Sequence, residues 1–168
     1  IGVYGKTKRA GELAVINSDI DSIVIRTSWL YSVYGNNFLK TMLKLGHGRD
    51  ELGVIFDQVG TPTNASDLAK TCLDILSDKS SENISTNGKI YHYSNEGVAS
   101  WYDFATAIME LGSLDCKVRP IETKDYPTPA KRPHYSVLNK TKIKTDFNIE
   151  IPYWRDSLDK CIEKLKLN

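Results

Sequence analysis

Apolar residues recur at helical spacing at Ala10, Leu13, Ala14 and Ile16, which predicts a helix over residues 4–16 with Gly11 leaving a smooth face for close packing. The polar run from Asn17 to Asp21 ends it. Next, Ile23, Val24 and Ile25 form a short continuous apolar run inside residues 22–27, the pattern of a strand buried on both faces of a parallel sheet. Helix followed by strand implies one α/β crossover. Phe38, Met42 and Leu45 then recur on one face of a second helix. Asn36 or Asn37 can cap it, and Gly46 and Gly48 stop it.

A short strand is expected over residues 53–56. Residues 57–64, DQVGTPTN, are dense in turn formers and polar groups, and loops of this kind often bind ligands. They lead into a helix over 65–77 with Leu68, Ala69, Cys72, Leu73 and Leu76 on its apolar side. The tract 77–87 reads as a polar surface connection, and 89–94 as an alternating strand containing Tyr91 and Tyr93. Ser100 and Asp103 have the spacing of a capping box that opens a helix to about residue 111. Residues 117–121 suggest a strand. The proline-rich stretch YPTPAKRP at 126–133 must be extended or turning, and residues 139–147 and 152–167 complete the pattern as two helices. The alternation of elements defines an α/β chain.

Composition narrows the function. With 168 residues, 40% hydrophobic and 26% charged, the chain can bury a sizeable core, and collagen, coiled coil and disorder are excluded. Lys+Arg number 22 against 21 Asp+Glu, so the net charge of +1 provides no global field to gather nucleic acid or a membrane surface. An anionic ligand must therefore meet a local site. The three cysteines, Cys72, Cys116 and Cys161, show no metal-ligand spacing, which fits a reducing, cytoplasmic compartment and no metal. No apolar run is long enough to cross a membrane. The chain starts without Met and opens on a helix, so a piece of a longer protein is expected.

The sharpest local signal is Tyr4-x-x-x-Lys8. Positions i and i+4 place the phenol and the ammonium on one helix face. A phenol is a weak acid at neutral pH, and a neighbouring ammonium favours its phenolate, easing proton exchange with a substrate oxygen. Alone, the pattern is weak, because a solvated face in a run that also holds Lys6 and Arg9 shows it too.

Five motifs in order add context: YGKTKRAGE at 4–12, RTSWLY at 26–31, GNNF at 35–38, DQVGTPT at 57–63 and YPTPAKRP at 126–133. Together they resemble the C-terminal half of the dTDP-4-dehydrorhamnose reductase family, which are extended short-chain dehydrogenases/reductases, over residues 3 to about 158. The resemblance implies the C-terminal part of a Rossmann-type domain plus the smaller α/β substrate-binding domain of such a reductase. Residues 1–35 would be the last elements of the dinucleotide-binding domain. Residues 36–168 would be mainly the substrate domain, with some elements returning to the Rossmann sheet.

The implied reaction is hydride transfer from NADPH or NADH to the C4 keto carbon of dTDP-4-dehydro-L-rhamnose, giving dTDP-L-rhamnose. In the resemblance, Tyr4 matches the proton donor, and Lys8 the lysine that lowers the phenol pKa and bonds the nicotinamide ribose. Ser28 matches the region near the nicotinamide, and Trp29 the substrate-contacting tryptophan. Trp29 also follows the buried strand at its C-terminal end, where ligands bind in open α/β sheets. Asn37, Gln58 and Arg132 are substrate candidates because amides read base and sugar edges and a guanidinium clamps a diphosphate. Asn37 can equally cap its helix, Gln58 brace its loop, and Arg132 be a solvated charge, as can Lys131. Trp101 and Trp154 read as core or helix-surface residues. Arg26 can anchor the strand end or brace the site.

The third catalytic group of the family, a Ser or Thr, and the glycine-rich phosphate turn have no counterpart: Gly46 and Gly48 form the sole G-x-G, without the third glycine. The 168 residues alone are therefore expected to be inactive. The family's metal-binding glutamate pattern is not evident, and the three histidines read as surface or structural groups. A homodimer of the full-length protein is compatible with the resemblance. Two other functions stay open: a different nucleotide-sugar reductase or epimerase sharing Tyr4 and Lys8, or a non-catalytic regulatory subunit of the same fold.

Overall fold

The computed structural model describes residues 2–18, 20–77, 88–128 and 132–167. The chain runs α1 (Val3–Ile16), β1 (Ile23–Arg26), β2 (Leu30–Tyr31), α2 (Phe38–Gly48), β3 (Glu51–Ile55), β4 (Val59–Gly60), β5 (Thr63–Asn64), α3 (Ala65–Ser77), β6 (Lys89–His92), β7 (Ala99–Ser100), α4 (Trp101–Leu111), β8 (Lys117–Ile121), a 3-10 turn at Thr123–Asp125, α5 (Thr141–Phe147) and α6 (Trp154–Lys166). The expected order of elements is borne out. Most of the polar tract expected at 77–87, and Lys131, lie outside the described residues.

Four strand pairs carry the fold. Three are parallel: β1 with β6 from Ile23↔Lys89 to Arg26↔His92, β2 with β5 through Leu30↔Thr63, and β3 with β8 from Glu51↔Lys117 to Ile55↔Ile121. The antiparallel pair sets Val59 opposite Ser100 and Gly60 opposite Ala99. Parallel partners need long crossovers, and the helices between them supply these connections.

Two cores result. The larger surrounds α4, where Phe104, Ala105 and Ile108 are fully buried against Leu39 and Met42 of α2, Leu52 and Val54 of β3, and Leu158 and Ile162 of α6. The smaller packs Tyr91, Tyr93, Ile75, Ile143, Phe147 and Ile151 with Ile23 and Ile25 of β1 alongside. The sequence pattern locates α4 well because its start is locally encoded: the Ser100 Oγ accepts from Asp103 N at 3.0 Å while the Asp103 carboxylate accepts from Ser100 N at 2.8 Å.

Three expectations need correction. The Ile23–Ile25 run is half-buried rather than buried on both faces, because among the described residues β1 has a strand partner on one side alone. The apolar stripe of α1 is likewise uncovered: none of its residues is buried, and Leu13 is 41% exposed. Residues 57–64 also depart from an open loop. Gln58, Gly60, Thr61, Pro62, Thr63 and Asn64 are all buried, and their polar groups are matched across the fold.

The centre of that matching is Asn95, which has no exposed surface. Its Oδ1 accepts from Asn64 N at 2.8 Å, and its Nδ2 donates to the Asp67 carboxylate at 2.7 Å and to Ser157 Oγ at 3.0 Å. Ser157 Oγ donates to Asp67 at 2.5 Å, and Asn64 Nδ2 donates to Ser157 O at 3.0 Å. A carboxylate and two amides thus join β5, α3, the segment after β6 and α6. Asn95→Leu leaves the Asp67 carboxylate and Asn64 N–H short of partners, so stability should fall by about 3 kcal/mol. Equilibrium urea unfolding of both proteins checks this, and a loss within error of zero would contradict it.

Candidate active site

The helix carrying Tyr4 and Lys8 runs antiparallel to β1. At one end Ser22 Oγ donates to Val15 O at 3.4 Å. Further along, Arg26 Nε and Nη2 donate to the two oxygens of Glu12, each at 2.7 Å. Tyr4 lies eight residues before Glu12, so it stands roughly 12 Å farther along the axis, past the C-terminal end of β1. Tyr4 is 76% exposed, and Lys8 Nζ sits 5.7 Å from its ring centroid. The phenol and ammonium share a face as the i, i+4 spacing requires.

Glu12 is the partner that periodicity does not reveal. Its side chain is 13% exposed, and it also accepts from Arg9 Nη1 at 3.1 Å. The hydrogen bonds from Arg26 hold its carboxyl well below the ordinary value of 4.5, at about 2, against the opposing effect of desolvation. Arg26 is raised in turn by the same contact. Of the two roles open to Arg26, anchoring the strand end is the one its geometry serves.

Past β1 the chain enters Thr27, Ser28 and Trp29. Ser28 Oγ donates to Thr61 O at 3.1 Å, and Trp29 O accepts from Thr63 N at 3.1 Å. Trp29 has φ 48, a left-handed conformation that a bulky residue holds only when its surroundings enforce it, at a cost of order 1–3 kcal/mol. Its ring stacks on Trp101, centroids 3.6 Å apart and planes 9° from parallel, and Phe38 packs on Trp101 at 4.7 Å.

Trp101 and Phe38 line a cleft of about 490 Å³ bounded by α2, β3, β8, Tyr126, Thr128 and Arg132. Gln58 and Arg132 line it as well, with Tyr126 and Arg49. Gln58 is buried and its Nε2 donates to Thr123 Oγ1 at 3.1 Å, whereas Arg132 is exposed. The Asp57 carboxylate accepts from Thr123 N and Oγ1 at 2.9 and 2.7 Å, which hold it below the usual carboxylate range and fix the loop below the rim. An apolar, aromatic wall with an amide and guanidinium groups suits a planar base joined to an anionic group.

Asn37 is placed differently from its candidate role. Its Oδ1 accepts from Lys40 N at 3.2 Å and its Nδ2 donates to Ser32 O and Tyr34 O, so its amide serves as the cap of α2. A more open hollow of about 530 Å³ runs between β6 and α5, but its polar groups pair with one another: Tyr91 donates to Asp146, and Lys142 lies over the Tyr91 ring. Trp101, which the sequence suggests is core or surface, lines this cleft and stacks on Trp29, an arrangement that no local spacing reveals. Among the described residues no group of His, Cys, Asp and Glu could hold a metal ion.

The architecture is the α/β fold of the extended short-chain dehydrogenases/reductases. The chain belongs to the RmlD substrate binding domain family, which matches residues 1–167. It is 40% identical over 162 residues to the spore coat polysaccharide biosynthesis protein SpsK of Bacillus subtilis, covering 96% of this chain and 54% of that protein. It is 43% identical over 163 residues to the dTDP-4-dehydrorhamnose reductase of Aggregatibacter actinomycetemcomitans, covering 93% and 55%. The solved dTDP-4-dehydrorhamnose reductase of Clostridium acetobutylicum superposes with a TM-score of 0.86 at 41% identity, over 97% of this chain and 55% of that one. That of Bacillus anthracis, in complex with NADP, gives 0.83 at 34% identity over the same shares. The chain spans about half the length of the curated relatives it matches.

The Glu12–Arg26 contact yields a prediction with a defined sign. Because folding lowers the Glu12 pKa, its stabilisation is complete above the ordinary value of 4.5 and is lost as pH falls from there towards about 2. Glu12→Gln should therefore speed amide exchange in α1 relative to the parent at neutral pH, and the difference should shrink across that acid window. A difference independent of pH would mean that the carboxylate charge does not tether the helix.

Proposed function

We propose that this chain is the substrate-binding portion, with the proton-donating helix, of an NADPH- or NADH-dependent reductase that converts dTDP-4-dehydro-L-rhamnose to dTDP-L-rhamnose. The observation that carries this reading is the shared placement of two groups of residues. The Tyr4–Lys8 face is tethered beyond the end of β1, and the same strand end leads within three residues to Trp29 beside the cleft lined by Gln58 and Arg132. The names of the relatives support the substrate, and the NADP held by the Bacillus anthracis structure supports the cofactor class. Residues 1–35 are assigned to the dinucleotide-binding domain. Residues 36–168 are assigned mainly to the substrate domain, with some elements returning to the Rossmann sheet; the pairing of β6 with β1 supports that return.

The exposed phenol of Tyr4 and ammonium of Lys8 fit a nicotinamide cofactor, offering one group to a substrate oxygen and one to a ribose hydroxyl. Gly46, by contrast, fits no phosphate turn: a Cβ there would lie 2.6 Å from the Met109 sulfur, so its smallness serves helix packing. A bound reduced nicotinamide supplies hydride to the C4 carbon. Tyr4 holds the proton that the C4 oxygen takes up as the carbonyl becomes a hydroxyl. Lys8 favours the phenolate left behind and donates to the ribose. Trp29 packs on the sugar, and Ser28 lies at the nicotinamide side of that strand end. Gln58 and Arg132 hold the nucleotide end, with the guanidinium on the diphosphate.

The test uses the full-length protein with dTDP-4-dehydro-L-rhamnose, following NADPH oxidation and identifying the product. Tyr4→Phe should lower kcat by about 100-fold or more, the contribution of a positioned proton donor, with little change in dinucleotide affinity. An epimerised sugar nucleotide, or no turnover by a wild type that binds dinucleotide, would overturn the assignment.

A further inference from the structure

Trp29 is held by two contacts that belong to one frame. The first is the backbone of Gly60: a Cβ at that position would lie 2.7 Å from Trp29 Cε2 and 2.9 Å from Cζ2, so glycine alone permits the approach. The second is the face of Trp101, 3.6 Å away and 9° from parallel. Gly60 and Trp101 are joined directly, because Gly60 pairs with Ala99 and Val59 with Ser100, the residue before Trp101. The reciprocal capping bonds between Ser100 and Asp103 then fix where α4, and with it Trp101, begins. A strained φ of 48 at Trp29 persists because this frame and the Thr63 N–H to Trp29 O bond leave it no freer arrangement.

We propose that Trp101 is a positioning residue that fixes the plane of the Trp29 indole, and through it the seat of the reacting sugar. The proposal rests on the reductase reading above and extends it to a residue that has no role there. Trp101 also lines the cleft, together with Phe38, which packs on it at 4.7 Å and on Phe104 at 5.5 Å. A nucleotide seated in the cleft therefore presses on the back of the clamp, and the nucleotide end and the sugar end are coupled through two stacked rings. An indole that only filled space would need no parallel partner and no glycine against it.

Two variants test this, Trp101→Leu and Trp101→Phe. In the 168-residue chain, two parallel indoles at this spacing give an exciton-coupled band in far-ultraviolet circular dichroism, and both variants should abolish it. In the full-length enzyme, Trp101→Leu should lower kcat for dTDP-4-dehydro-L-rhamnose by about 10-fold or more, the scale expected when reacting groups are misplaced by a fraction of an ångström. The KM for dinucleotide should not move. Trp101→Phe, which restores an aromatic face, should return kcat to within about threefold of wild type. A residue that merely filled the core would lower the melting temperature of Trp101→Leu and leave kcat per folded molecule unchanged; that result, with an active wild type, overturns this inference alone. A wild type that does not reduce the sugar nucleotide overturns the reductase reading and this inference with it. Absence of the exciton band in the wild type overturns the stacked arrangement itself.

Discussion

The Asn95 carboxamide is the constraint on which the geometry of the site depends. Its Oδ1 holds the Asn64 N–H, and the residue before Asn64, Thr63, donates its own N–H to the Trp29 carbonyl. β5 is two residues long and β2 is equally short, so their ladder alone is too small to resist the left-handed backbone at Trp29. The resistance comes from the buried polar cluster behind them. Inside a protein such a cluster is strong only when complete, since every unmatched member would bear its full desolvation cost. Asp67, Ser157 and Asn64 complete it from three separate segments. The polar richness of residues 57–64, which suggests an exposed loop, is in fact the requirement of a buried junction.

That distinction marks what the sequence made legible. The order of helices and strands follows from local periods, and the start of α4 from the Ser100 and Asp103 pair, because each signal is complete within a few residues. Tyr4 and Lys8 were readable for the same reason: four residues of helix set their shared face. The partners of those elements were not readable. Glu12 meets Arg26 across a turn, Asn95 meets Asp67 and Ser157 across 28 and 62 residues, and Trp101 meets Trp29 through a two-residue ladder, and no spacing rule encodes such distances. Asn37 shows the reverse case, in which a local signal for a cap and a candidate contact compete for one amide; its oxygen caps α2 and its nitrogen binds the loop before it. Burial was overestimated for Ile23–Ile25 because a continuous apolar run records the environment of a strand, while the described residues provide one neighbour only.

The tether of α1 is electrostatic in a place where apolar burial is the usual means. None of its residues is buried, yet its position along β1 is fixed by a bidentate pair whose carboxylate is largely withdrawn from water. Exposed ion pairs contribute little to stability, and one this close to the surface is not expected to hold a fold together. Its contribution is geometric. A guanidinium fork accepts a carboxylate in few orientations, so the pair sets both the register and the rotation of the helix. Those two variables decide whether the Tyr4 hydroxyl faces the strand end.

Two rigid frames therefore share the site. One is α1 with β1 and β6, which carries the phenol and the ammonium. The other is β4 with β7 and the start of α4, which carries Gly60 and Trp101 and so orients Trp29. Between them run Thr27, Ser28 and Trp29, and this connection is bonded at each residue: Thr27 Oγ1 donates to Thr63 Oγ1 at 3.3 Å, Ser28 to Thr61 O, and Thr63 to Trp29 O. All three partners lie in the buried Thr61–Thr63 segment. A phenol and an indole on separate elements ordinarily vary in separation as loops move. Here the linking residues are fixed to the same segment that orients Trp29, so the spacing between Tyr4 and Trp29 follows from the buried backbone rather than from a mobile connection.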